Sequence, residues 1–164
     1  MQISFALCLP RDELSVPVVR RTCCEAMRNF GVERDCMDDV ALALTEACAN
    51  VVRHSRAAAV DYEVQIAFDE DRCEIRVIDP GWHLDRDALE IEAAEDATSG
   101  RGIALMRAMV DVTNFDYRPE AGTVVHLVKR LTLTPHALLR TLAERRATAA
   151  AAGPPPPPSE APDR

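Results

Sequence analysis

Three residues at steps of four, Glu46, Asn50 and His54 in the stretch EACANVVRH, put a carboxylate, an amide and an imidazole one above another on any helix through them. An amide oxygen is a hard, neutral ligand suited to Mg²⁺, which takes few protein ligands and keeps water and phosphate oxygens. A carboxylate one turn away could hold a water or accept a proton from an attacking hydroxyl. Taken alone, the same spacing also describes a solvated polar helix face that ends in a histidine.

Two further stretches carry chemistry. In Asp79-Pro80-Gly81 a carboxylate at a strand end could accept a hydrogen bond from an amine such as that of adenine, and the glycine would let a ring approach. The same three residues also read as a plain turn. In Ser99-Gly100-Arg101-Gly102 two glycines permit positive φ and close approach where a helix begins, and free N–H groups there point at an anion. A flexible hinge explains that stretch equally well. It lacks the G-K-[ST] of a Walker loop and the third glycine of a dinucleotide fingerprint, which excludes both.

The elements that must position these residues follow from periodicity. Residues 2–9 alternate and stop at Pro10, which predicts a strand. A helix is expected over 14–30, with Pro17 in its first turn and Gly31 at its end. A second is expected over 36–54, with Asp35 as N-cap and Asp38 and Asp39 complementing the macrodipole. Its buried stripe is Val40, Leu44, Ala47 and Val51, and the polar trio falls off that stripe. Residues 60–68 and 73–79 alternate apolar and polar around an acidic turn at 69–72, as a hairpin with one covered and one wet face does.

Residues 80–99 are acidic and irregular, the composition of a functional or disordered connection. A helix over 102–111, strands over 112–118 and 123–131 and a helix over 135–150 complete the pattern. The Pro-rich end, 151–164, cannot bury apolar area and is expected to be a disordered extension. The order β-α-α-β-β-lid-α-β-β-α predicts an α+β two-layer sandwich: a mixed, mainly antiparallel sheet with helices on one face. The expected organisation is one domain over 1–131, a C-terminal helix over 132–150 and the tail.

Composition narrows the function. The 164 residues suffice for one domain with a core of mainly aliphatic side chains, since aromatics are 4%. A net charge of −8 argues against a general binder of nucleic acid backbones. A local nest of backbone N–H groups could still hold the phosphates of one nucleotide. No apolar run approaches the ~20 residues of a membrane helix, and the N-terminus lacks the features of a secretory signal. A cytoplasmic protein is therefore expected. The six cysteines have no C-x-x-C spacing, so they read as reduced, mostly buried apolar side chains.

In combination the stretches resemble the ATP-binding fold of histidine kinases, gyrases and chaperones, the Bergerat fold, over roughly residues 2–131. ExxxN at 46–50 resembles its N box, DPG at 79–81 its G1 box and GRG at 100–102 its G2 box, and Gly122-Thr123 resembles its late G-T. LTEACANVVRHS and GRGIALMRAMVD make the chain similar to the small stand-alone anti-sigma-factor serine/threonine kinases. The resemblance implies Glu46 as general base and Asn50 as the ligand of Mg²⁺. It implies Asp79, Gly81 and Thr123 at the adenine, and Gly100, Arg101 and Gly102 at the ATP phosphates. Arg86 and Arg101 are the lid-region cations available to a γ-phosphate; Arg53 and His54 lie one turn on from Asn50. It further implies a homodimer that holds a sigma factor and phosphorylates an anti-anti-sigma antagonist. The rival expectations are a catalytically inactive ATP-binding interaction module and the ATPase part of a split histidine kinase.

Overall fold

A computed structural model describes residues 2–54, 61–80, 100–118 and 122–151. The expected lid beyond Pro80, with Gly81 and Arg86, and the tail from residue 152 lie outside them.

The described chain runs β1 (Ile3–Pro10), α1 (Ser15–Phe30), α2 (Arg34–His54), β2 (Asp61–Phe68), β3 (Arg72–Asp79), α3 (Gly100–Met109), β4 (Val112–Arg118), β5 (Gly122–Arg130) and α4 (Leu138–Ala151). The five strands form one sheet in the order β1-β2-β3-β5-β4, and every pairing is antiparallel. This is the α+β sandwich expected, with the mixed element absent from the described sheet.

The period-2 strands bury one face. Tyr62, Val64, Ile66 and Phe68 of β2 and Cys73, Ile75 and Val77 of β3 are all buried, while the residues between them are more exposed. Val19, Cys23 and Met27 of α1, the stripe Val40, Leu44, Ala47 and Val51 of α2, and Ile103 and Met106 of α3 close over that face. At about 25 cal/mol per Å² of apolar surface removed from water, this layer is the main stabilising term. Phe30 of α1 meets Phe68 edge-on at 5.0 Å, adding an aromatic contact at the end of the layer.

Helix ends follow local chemistry. Gly31 adopts φ 82°, and the amides of Gly31 and Val32 return to the carbonyls of Arg28 and Met27, which ends α1. α2 begins at Arg34, so Asp35 lies inside its first turn and is not the N-cap. α4 begins at Leu138, three residues after Pro135, because residues 131–137 instead pair back onto the α1–α2 junction. There Val32 bridges Leu133, and Thr134 donates to the Gly31 carbonyl at 2.8 Å. No helix among the described residues is long and apolar enough to cross a membrane.

Candidate nucleotide site

α2 and α3 pack against each other, and the start of α3 lies on polar residues of α2. A Cβ placed on Gly102 would lie 2.9 Å from Glu46 Oε2 and 3.6 Å from Asn50 Oδ1. The start of α3 thus rests on the Glu46/Asn50 step of α2, and the missing side chain lets the helix backbone come close to a carboxylate and an amide. Asn50 is only 7% exposed and Glu46 is half-buried, so this face of α2 is not simply solvated. Gly100, Arg101 and Gly102 form the first turn of α3, whose leading N–H groups have no partner within the helix. The positive φ expected of Gly100 and Gly102 is not found: among the described residues only Gly31 and Gly122 adopt it. What Gly102 contributes is a close approach of α3 to Glu46. Arg101 and Arg53 are exposed, and His54 is the last residue of α2.

The second half of the site lies at the rim of the sheet. Asp79 ends β3 on the core face with no exposed surface, and Thr123, fully buried, is its register partner on β5. Gly122, at φ 80°, sits flat on the Asp79–Pro80 backbone; a Cβ there would collide with the Asp79 carbonyl and lie 2.6 Å from Pro80 Cα. That contact explains the late G-T: the glycine allows the strands to close and the threonine then faces the carboxylate. Asp79 also forms an ion pair with Arg11, which follows β1.

A buried polar chain runs from the start of α1 through the rim of the sheet to the sheet-facing side of α2. Ser15, the first residue of α1, donates to the Asp12 carbonyl at 2.7 Å and shares a 2.8 Å hydrogen bond with the Tyr62 hydroxyl. Tyr62 is also hydrogen-bonded to Cys48, which lies on α2 between Glu46 and Asn50. Because Glu63 pairs with Ile78, Tyr62 stands beside Asp79 at the rim. Burial pushes the Cys48 thiol up to about 12, and burial with the neighbouring thiol raises the Tyr62 phenol above its ordinary value. Both stay neutral and hydrogen-bonded between β2 and α2.

Of the residues expected from sequence, the structure brings Glu46, Asn50 and Gly102 together, and Asp79 and Thr123 together. Gly81 lies outside the described residues. Arg11, Ser15, Cys48 and Tyr62 were not anticipated. Their only sequence signal is position, next to a strand end or inside a motif. Among the described residues no group of three His, Cys, Asp or Glu side chains converges as a metal cage. A single amide oxygen close to a helix start is instead the donor set that suits Mg²⁺ carried by phosphate oxygens.

An antiparallel sheet covered on one face, with an ExxxN helix against a glycine-opened helix and a buried Asp/Thr pair at the rim, defines a histidine kinase-like ATP-binding domain. The chain belongs to the histidine kinase-like ATPase domain family, whose model matches residues 9–129. Within that family it is similar to serine-protein kinase RsbW of Halalkalibacterium halodurans, 28% identical over 137 residues that cover 78% of this chain and 83% of that one. RsbW of Bacillus subtilis is also 28% identical, over 134 residues, 75% of this chain and 82% of that one. The resemblance to stand-alone anti-sigma kinases thus extends over most of the chain. The fold is also shared with the crystal structure of the RsbU and RsbW domains of Rv1364c from Mycobacterium tuberculosis: TM-score 0.62 and 21% identity, covering 79% of this chain and 32% of that one.

Proposed function

We propose that the chain is an ATP- and Mg²⁺-dependent protein serine/threonine kinase that acts as an anti-sigma factor. It would hold a sigma factor and phosphorylate an anti-anti-sigma antagonist. The observation that carries this reading is the meeting of Glu46, Asn50 and Gly102 at the start of α3, in a family of ATPase domains with RsbW relatives.

In this reading Asp79 accepts a hydrogen bond from the adenine amine and Thr123 supports it. The first turn of α3 receives the phosphates on its N–H groups. Asn50 Oδ1 would hold Mg²⁺, which when bound neutralises phosphate charge. Glu46 accepts the proton of a substrate serine or threonine hydroxyl as that oxygen bonds to the γ-phosphorus and the bond to the ADP oxygen breaks. Phosphoryl transfer asks chiefly for positioning and charge stabilisation, which so short a list of residues can supply. The domain over 1–131 would carry all of it. A homodimer and a cytoplasmic setting complete the proposal.

The test is transfer of labelled γ-phosphate to a purified candidate antagonist protein. Acid-stable phosphoserine or phosphothreonine is expected, and Glu46→Gln should lower the rate by roughly 100-fold or more while ATP binding persists. Undiminished transfer by Glu46→Gln would reject the base assignment. ATP binding with no transfer to any antagonist would identify the inactive regulatory module, and acid-labile phosphohistidine the split histidine kinase.

A further inference from the structure

The ion pair at the rim is lopsided. Arg11 meets Asp79 Oδ1 through Nη2 alone, although an arginine and a carboxylate pair best through two parallel N–H···O bonds. The Arg11 side chain is only 9% exposed, and its Nε and Nη1 are buried with no acceptor among the described residues. Buried donors almost always find partners, and a charged group left short of acceptors is costly. A guanidinium held firmly on a carboxylate, with further donors unspent, presents donor and acceptor side by side. An adenine edge is the complement of that pair, because its exocyclic amine donates and the adjacent ring nitrogen accepts.

We propose that Arg11 is a base-recognition residue of the nucleotide site, donating a hydrogen bond to a purine ring nitrogen, N1 or N7, while Asp79 accepts from the neighbouring amine. This rests on the ATP-binding reading above and adds to it a specificity-determining residue outside the sequence motifs. The same contact holds the Asp79 carboxylate aimed, so an adenine meets a preorganised pair.

Titration calorimetry of the full chain with ATP, 1-deaza-ATP and 7-deaza-ATP tests it. One of the two deaza analogues should bind the parent roughly 10- to 100-fold more weakly than ATP, the range of a charge-assisted hydrogen bond. That gap should vanish in Arg11→Met and in Arg11→Lys. The lysine variant keeps a cation on Asp79 should the methionine variant fail to fold. Equal binding of all three nucleotides by the parent overturns the proposal without any variant. So does a gap that survives loss of the guanidinium, or ATP binding by Arg11→Met as tight as the parent's, which would make Arg11 a structural partner or a competitor of the base. A parent that binds no ATP at all would instead reject the nucleotide-site reading on which the proposal stands.

Discussion

At the scale of single residues, Gly102 shows how a position can be chosen against its own helix. Glycine costs about 1 kcal/mol relative to alanine inside a helix, yet it stands in the first turn of α3. A methyl there would meet the ends of two movable side chains, Glu46 and Asn50, and no backbone. Gly102→Ala is therefore expected to leave the melting temperature unchanged or slightly raised while phosphate transfer falls at least ~10-fold. A parallel fall in both would show that the glycine serves packing alone. Tyr62→Phe probes the buried hydrogen bonds between α1, β2 and α2. Removing the hydroxyl takes a partner from Ser15 and Cys48, so a loss of about 1–2 kcal/mol is expected in urea unfolding. Asn50, Asp79 and Thr123 can be singled out in the sequence because each sits inside a short motif with its own chemistry. Arg11 cannot, since its partner Asp79 lies 68 positions away and nothing local marks the pair. Tyr62 in an alternating strand reads as ordinary core, which it also is.

At the scale of elements, the periodicities were sufficient. The α2 stripe of Val40, Leu44, Ala47 and Val51 is wholly buried, and the order of helices and strands is the one expected. Boundaries moved where tertiary contacts overrode local signals. Pro135 suggested a helix start, but its neighbours are used to bind Gly31 and Val32, so α4 begins later. Asp35 suggested a cap, but the helix begins one residue earlier. The Gly31 junction gives a sharp prediction. Its φ is 82°, and a Cβ there would lie 2.5 Å from Ala137 Cα and 2.8 Å from Ala137 Cβ. Gly31→Ala combines backbone strain with a clash against main chain, so a destabilisation of about 2–4 kcal/mol is expected, measured by chemical unfolding. Protection of the α4 amides from hydrogen exchange should fall with it, because the segment leading into α4 docks on that glycine.

At the scale of the molecule, the buried thiols make stability depend on pH. Cys48 titrates at about 12 in the fold against an ordinary 9.0, and Cys73 is also raised, through its hydrogen bond to Cys23 and through burial. Above pH 9 the unfolded chain releases protons that the folded chain keeps. Their contribution is thus full below about pH 9 and is lost as pH rises toward 12. Lys129 acts in the same sense. Burial alone would lower its ammonium, but the 2.8 Å contact with Asp39 outweighs that and raises it, so its share fades only above its ordinary 10.5. The expected result is a urea midpoint that declines steadily above pH 9, with a shallower decline in Cys48→Ala. Thiol reagents at neutral pH should label the exposed Cys8 first and Cys24 slowly, and reach Cys23, Cys36, Cys48 and Cys73 only on unfolding.

The strand order has a consequence in time. β5 lies between β3 and β4, although it is the last strand made. Until residues 122–130 have left the ribosome, β3 has no neighbour on that side, and Asp79 lacks both Thr123 across from it and Gly122 beneath its carbonyl. The β1–β2–β3 meander can form early from nearby segments, whereas β5 must return across the whole length of α3 and β4. Such long-range closure is slow and exposes an unpaired edge while it waits. A nascent chain stalled before residue 122 should therefore bind no nucleotide and recruit chaperones, and one released past residue 131 should acquire both sheet and pocket in a single step.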